Sequence, residues 1–526
     1  MSTGASSNSG LSRRAFLRSS GATVGTAVLA APLVGLQLQQ AAGARPRPEQ
    51  GYGPLVATSD RTTGLPLLRL PRGFSYQSFG WSGDLMDDGT PTPDRHDGMA
   101  VVESRRGRGR RSELVLIRNH ERGPALPGDP LPLVGAGRAP VYDGFRLPGV
   151  IEGLGGGTTA VTFASGRFTG SQATLGGTLT NCAGGPTPWG SWLTCEEVTL
   201  RGSQVGARDH GFVFEVPSPH LGAASAVPIE DMGFMSHEAA AVDPETGHVY
   251  LTEDNGPNSG FYRFRPLRRA HRPGDLEAGG SLEMLKVAGV DRADLRRPSP
   301  GQRFAVEWVG IAEPNADPEG FASPAPGFPP IQGTGRSGPF LQGEAQGAAV
   351  FSRGEGCWHH RGVVYFVDTS GGPVGKGVVW ALDLPRRGPK GPSKDRPTLT
   401  AVFVSQSEEL ADNPDNITVS PRGGLVLCED GGGLVVDGTR RFGTRLLGVN
   451  RRGGSFVLAE NNVVIDQPIA GKPTIVANDY RGLEFCGATF SPSGRHLFVN
   501  IQTPGITFAI EGPWQRGRPV VGARAR

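Results

Sequence analysis

Apolar residues in this chain fall in short runs, separated by clusters of Gly, Pro, Ser and Asp, and the runs recur along its length. Such punctuation predicts strands rather than helices, because a strand needs only about four to eight residues and a helix about ten or more. Three stretches can be laid over one another. Ala241–Asp254 (AVDPETGHVYLTED) reads strand, tight turn, strand, acids. Ile417–Asp430 (ITVSPRGGLVLCED) has the same length and breaks, and Ala488–Asn500 (ATFSPSGRHLFVN) is one residue shorter. In each, Pro presets φ and a following Gly supplies φ > 0, so each predicts a hairpin. Two looser copies end at Glu197 and Asp368.

The end points 197, 254, 368, 430 and 500 lie 57, 114, 62 and 70 residues apart. The second gap is twice the first, as if one copy had diverged, and it contains the Pro/Gly-rich segment Ala312–Gly343, read as an inserted loop. Six units result. Self-similarity at this spacing predicts an all-β chain, a six-bladed β-propeller with long decorating loops. A β-sandwich array is the structural alternative. Each inner strand is expected to end in a carboxylate or amide. A propeller aims corresponding blade ends at one mouth of its channel, so acids distant in sequence are expected to converge there in a metal site.

Composition sharpens this picture. Gly (81) and Pro (45) together make about 24 % of 526 residues, twice the roughly 12 % of average usage. Hydrophobic residues at 37 % and charged ones at 20 % argue that the excess is turn chemistry rather than disorder. The net charge of +3 comes from Arg13, Arg14 and Arg18; from residue 45 onward the charges balance. Nothing global points to nucleic acid or an anionic membrane. The basic run Arg105–Arg111 reads as a solvated loop.

Ser12-Arg13-Arg14-Ala15-Phe16-Leu17 reads as a twin-arginine export signal, followed by a weakly apolar stretch and an Ala42-Gly43-Ala44 cleavage site. Two parts follow: a signal peptide at 1–44 and a single catalytic domain at 45–526. The expected partner during export is the twin-arginine translocase. The destination is the periplasm, the extracellular space or the cell wall, with no membrane anchor in the mature form. Five cysteines, an odd number with no CxxC pair, leave at least one thiol outside any disulfide, as a metal ligand or as a small buried residue.

Carboxylates crowded in a cleft raise each other's pKa and call for cations. Asn119-His120-Glu121, Glu196-Glu197, His237-Glu238, Glu253-Asp254, Glu355, Asp415-Asn416 and Glu429-Asp430 offer hard oxygen ligands. These suit calcium, or iron(III) if a thiolate such as Cys182 joins them. His237-Glu238 lacks the second His of a zinc HExxH motif, and Gly153–Thr158 lacks the Lys-Ser/Thr of a P-loop.

The block Asn181–Glu197 (NCAGGPTPWGSWLTCEE) resembles the PhoX-type alkaline phosphatases. Ser236-His237-Glu238-Ala239, Arg353-Gly354-Glu355, Asp412–Asn416 and Cys428–Gly431 are similar to the family's other motifs, in the family's order. The resemblance implies a six-bladed propeller with two Fe(III) and about three Ca(II) ions at one channel mouth. It further implies hydrolysis of phosphate monoesters outside the cytoplasm; separately, the mature chain is expected to be a monomer. On it, Cys182, Glu197, Glu238 and Glu355 fall at iron-ligand positions, and Arg353 at the arginine that holds the substrate phosphate. Asp254, Asp415, Asn416, Glu429 and Asp430 are the calcium candidates. Gly354 stands where the family pattern has Pro. The rival expectations are a calcium-dependent propeller lactonase or esterase, and a non-catalytic, calcium-stabilised propeller that binds a partner.

Overall fold

The computed structural model describes residues 51–514, apart from 107–111, 130–137, 386, 389–390, 393–395, 423 and 450–453. The signal peptide read at 1–44 and most of the basic run Arg105–Arg111 lie outside the described residues. Among those described, the chain is all-β with its sheets in a propeller-like arrangement, and its one α-helix is Gly338–Ala345.

The hairpins predicted from Pro and Gly are present, and successive hairpins build antiparallel sheets. His96–Arg106, Ser112–His120, Gly156–Ala164 and Arg167–Thr178 pair in chain order. Asn181–Pro186, Ser191–Glu196 and Val213–Pro217 form the next sheet. Two sheets share edges to make nine strands: one grows outward from His237–Val242, the other from Gly354–His360, and Arg303–Ile311 joins them through Thr398–Val404. Pro414–Val419, Leu425–Glu429, Arg445–Val449 and Ser455–Asn461 follow, extended by Leu68–Pro71 and Leu55–Thr58. In the last sheet Phe485–Phe490, His496–Ile501 and Ile506–Glu511 take Ser75–Phe79 as their outer strand, so an early strand completes a late sheet. Buried Tyr76 anchors this closure: its hydroxyl accepts from Leu67 N–H at 2.8 Å and donates to the Thr58 carbonyl at 2.9 Å.

The innermost strands pack in a closed cycle. His96–Arg106 lies against Asn181–Pro186, then come His237–Val242, Gly354–His360, Pro414–Val419 and Phe485–Phe490, which returns to His96–Arg106. With a sheet on either side, such a strand has no solvent face. His237–Val242 (HEAAAV) is accordingly buried at every position. Close approach needs small residues. A Cβ on Gly185 would sit 1.8 Å from the Ala240 carbonyl oxygen, and one on Gly184 1.9 Å from that of Leu193. Gly98, Ala183, Ala239, Gly356 and Ala488 face the same narrow axial space, a cavity of only 20 Å³.

Two expectations need correction. The stretch between Asp254 and Asp368 holds no diverged repeat; outer strands, the Ala312–Gly343 loop and the helix fill it. The unit absent from the repeat is the hairpin of His96–Arg106 and Ser112–His120, whose sequence between the strands is basic and carries no Pro-x-x-Gly. The repeated acids also end second strands, not innermost ones, in four of the six hairpins: Glu196, Glu253, Asp368 and Glu429.

Candidate metal centre

All six innermost strands break register in the same way. Between His96 and Met99, Asn181 and Gly184, His237 and Ala240, Gly354 and Cys357, Pro414 and Ile417, and Cys486 and Thr489, the inner strand advances three residues while its partner advances two. Each is a β-bulge. The extra residue bends the strand and re-aims the side chain there. The residues just inside these breaks are Asp97, Cys182, Glu238, Glu355, Asp415 and Gly487. Five of the six carry a ligating group, and Gly487, at φ +61°, comes within reach of Asp97 O.

The second strands supply the acids in pairs, and the two members do different work. The first braces a loop. Glu196 accepts from Leu179 N–H at 2.9 Å and Gly211 N–H at 2.8 Å; Glu253 accepts from Gly260 N–H at 3.0 Å and the Tyr262 hydroxyl at 2.7 Å. Asp368 accepts from the backbone N–H of Ser352 (3.0 Å) and Arg353 (2.9 Å), so it holds the segment that carries Arg353. The residue after three of these strand ends then reaches the mouth: Glu197, Asp254 and Asp430.

Together these side chains form overlapping groups with ligand atoms within 4.8 Å of one another. Cys182, Glu197 and Glu238 form one; Glu238, Glu355 and Asp415 another; Asp415, Asp430 and Glu484 a third; Asp97, Glu484 and Cys486 a fourth. Shared members make the four groups one continuous arc. Asp254 joins it through Arg353, whose Nε donates to Asp254 Oδ1 at 2.7 Å and whose Nη2 donates to Asp254 Oδ2 and lies 2.9 Å from Glu355 Oε1.

Burial, and then neighbouring carboxylates, push Asp97, Glu197, Glu238, Glu355 and Glu484 well above the ordinary carboxyl range. Asp415 is pushed up to about 7 by burial and by Asp430. The Cys182 thiol is raised by burial and by Asp97 and Glu238. Burial works against the charge of Arg353, but Glu355 and Asp254 outweigh it and hold the guanidinium protonated.

The donor set fits cations. Both carboxylate oxygens of Glu238 and Oδ1 of Asp97 are buried without a hydrogen-bond partner among the described residues. Buried acceptors are nearly always satisfied, so orphaned oxygens on converging carboxylates point to positive ions. The thiol of Cys182 beside two carboxylates suits a transition metal, and the all-oxygen groups suit a hard cation.

Two candidates sit differently from the others. Glu429 is gripped by Arg445, Nε to Oε2 and Nη2 to Oε1 both at 2.7 Å, and accepts from Asp412 N–H at 2.9 Å. Asn416 donates to Asp415 Oδ1 and accepts from Gly487 N–H, each at 2.8 Å, so its amide ties two neighbouring bulges together. Sequence reasoning passed over Asp97, Glu484 and Cys486. Asp97 had a signal: His96-Asp97-Gly98 before an apolar run matches His237-Glu238-Ala239 before another. Glu484 precedes its strand and matches no repeated position.

The family model described as alkaline phosphatase PhoX matches residues 50–127 and 151–505. No curated protein sequence matches the chain. Among solved structures, the PhoX of Pseudomonas fluorescens in complex with vanadate, a transition-state analogue, is similar with a TM-score of 0.58 and 16 % identity, covering 88 % of this chain and 98 % of its own. At that identity the likeness is one of fold. The holo PQQ domain of pyranose dehydrogenase from Coprinopsis cinerea overlaps at 11 % identity with a TM-score of 0.27, over 84 % of this chain and 97 % of that one, too distant to argue from.

Proposed function

The chain belongs to the alkaline phosphatase PhoX family, and from that premise we propose how its residues hydrolyse phosphate monoesters. The observation that carries the reading is the arc of buried carboxylates and thiol, with the orphaned oxygens of Glu238, facing the Arg353 guanidinium. Residues 45–526 form one catalytic domain, and the closed cycle of six bulged inner strands supports counting six blades.

Cys182, Glu197, Glu238 and Glu355 would hold two Fe(III) ions, and Asp415, Asp430 and Asp254, with Asp97 and Glu484, about three Ca(II) ions. Asn416 and Glu429 support this arc from behind, through the contacts described above. Bound there, such cations supply Lewis acidity and neutralise phosphoryl charge. The protein's own contribution is placement. Arg353 presents a planar fork that pairs with two oxygens of a phosphate. Asp368 fixes its backbone, and Asp254 and Glu355 fix its side chain, so the donor is oriented before the substrate arrives and little reorganisation is left for the reaction. On binding, phosphate oxygens take over donors that Asp254 now occupies.

The test is Arg353→Ala on p-nitrophenyl phosphate, with metal analysis of the same preparations. Loss of one preorganised donor to the transition-state charge costs about 10²–10³-fold in rate. Wild-type kcat/KM in that variant would remove Arg353 from the reaction. Iron in the wild type, with a thiolate-to-iron colour absent from Cys182→Ala, is expected; zinc, or no iron, would refute the cluster. The Arg13-Arg14 signal supports export by the twin-arginine translocase to the periplasm, extracellular space or cell wall. The mature protein is proposed to act as a monomer, and no helix among the described residues is long and apolar enough to cross a membrane.

A further inference from the structure

The Ala312–Gly343 loop does more than lengthen a connection. It returns over the Glu197 end of the arc and is tied to the body there: Arg201 N–H donates to the Ile331 carbonyl at 2.9 Å and Gly333 N–H to that of Thr199 at 2.8 Å. Arg201 also pairs with Asp317 at 2.8 Å and Asp209 at 2.9 Å, and donates to the Asn315 carbonyl at 2.6 Å. Beneath the strapped loop is a cavity of about 440 Å³ whose walls are apolar: Leu126, Phe145, Val150, Val198, Phe328 and Ile331. Ile331 is buried, whereas Leu126 (59 % exposed) and Val150 (43 %) stand open at the rim.

This cavity adjoins the metal centre. Val198 and Gln332 belong both to its wall and to that of a polar pocket lined by Glu197, Asp254 and Ser236. Thr180, also in the apolar wall, accepts the Glu197 N–H on its carbonyl at 3.0 Å, and Cys182 lies two residues on. Its own hydroxyl is buried without a partner among the described residues. A polar pocket lined by acids, set side by side with a preformed apolar one, is the arrangement of a site for an amphiphilic ligand.

We propose that the apolar cavity receives the alkyl or aryl group of a phosphate monoester whose phosphate lies at Arg353, so that the enzyme prefers amphiphilic monoesters to small polar ones. This rests on the phosphatase reading. The volume is adequate: an apolar cavity of about 150 Å³ already accepts benzene. Each methylene moved from water into it should raise kcat/KM about fourfold until the cavity is full, mainly through KM.

The experiment measures kcat/KM of the metal-loaded enzyme on n-alkyl monophosphates from methyl to octyl, with glycerol 2-phosphate as a polar reference. Ala325 lines the cavity on the exposed loop, so Ala325→Trp fills the space without disturbing a core. The expected result is a rising series in the wild type and an octyl-to-methyl ratio at least tenfold lower in A325W. If the short esters are hydrolysed and the series is flat, the subsite is refuted while the phosphatase reading stands. A rise that persists in A325W would place the apolar contact elsewhere and refute it too. If no ester is hydrolysed, the catalytic reading fails and the subsite with it.

Discussion

His210 is fully buried between two acids, with Nδ1 2.6 Å from Glu196 Oε1 and Nε2 3.4 Å from Asp143 Oδ2. Burial alone would strip its proton, but Glu196 and Asp143 outweigh that cost and hold the imidazolium up to about 9, against 6.5 for an ordinary His. A group whose pKa is raised on folding stabilises the fold fully below its unfolded value and loses that contribution as pH climbs through the folded one. The window is therefore about pH 6.5 to 9, and 2.5 units at about 1.4 kcal/mol each give roughly 3 kcal/mol. Unfolding entropy is about 2 cal/mol/K per residue, near 1 kcal/mol/K for the roughly 480 residues from Pro46 onward, so this is about 3 °C in Tm. The perturbation is His210→Gln, which keeps a donor but no charge. Scanning calorimetry of metal-loaded wild type and variant from pH 5.5 to 10 should show the variant melting about 3 °C lower at pH 6. The gap should close above pH 9. Other titrating groups shift both proteins alike and cancel in the difference. A gap that is constant with pH, or that widens above pH 9, would refute the charged His210 between Glu196 and Asp143.

Arg445→Met strands the Glu429 carboxylate in the interior and should cost about 3–5 kcal/mol in denaturant titration, whereas the double change Arg445→Met with Glu429→Leu recovers most of it. Glu429→Gln should keep the wild-type metal content; a loss of bound metal would make Glu429 a ligand after all. Glu238→Gln should lower the Tm of the metal-loaded protein yet raise that of chelator-treated protein relative to chelator-treated wild type. Burial raises its carboxyl well above the ordinary range, so without metal the native state loses stability as pH climbs above that range, by about 1.4 kcal/mol per unit until the folded-state value is reached. A lower Tm in both states would refute the ring of mutually raised acids.

Much of this was legible in the residues. Turn chemistry is local, so Pro and Gly at fixed offsets announced the hairpins at Asp243–Gly247 and Ser491–Gly494, and recurring acids after them announced a mouth. The hairpin of His96–Arg106 and Ser112–His120 carries no such signal, because the sequence between its strands is basic and has no Pro-x-x-Gly. Cys182, Glu197, Glu238, Glu355, Asp415 and Asp430 could be named from motifs and do meet. Which carboxylate of each pair faces the mouth could not. Glu429 and Asp430 are adjacent and chemically alike, and a change of one residue in strand register reverses which side chain looks inward. That choice is made by pairing between distant segments: Arg445 draws Glu429 to the blade. The repeated bulge turns Asp97 and Glu238 toward a common point, although 141 positions separate them. Residue types thus specify that cations belong here. Convergence exists only once the cycle of inner strands closes, and the apolar chamber beside it only once the Ala312–Gly343 loop folds back on the body, because neither is a property of any single stretch of chain.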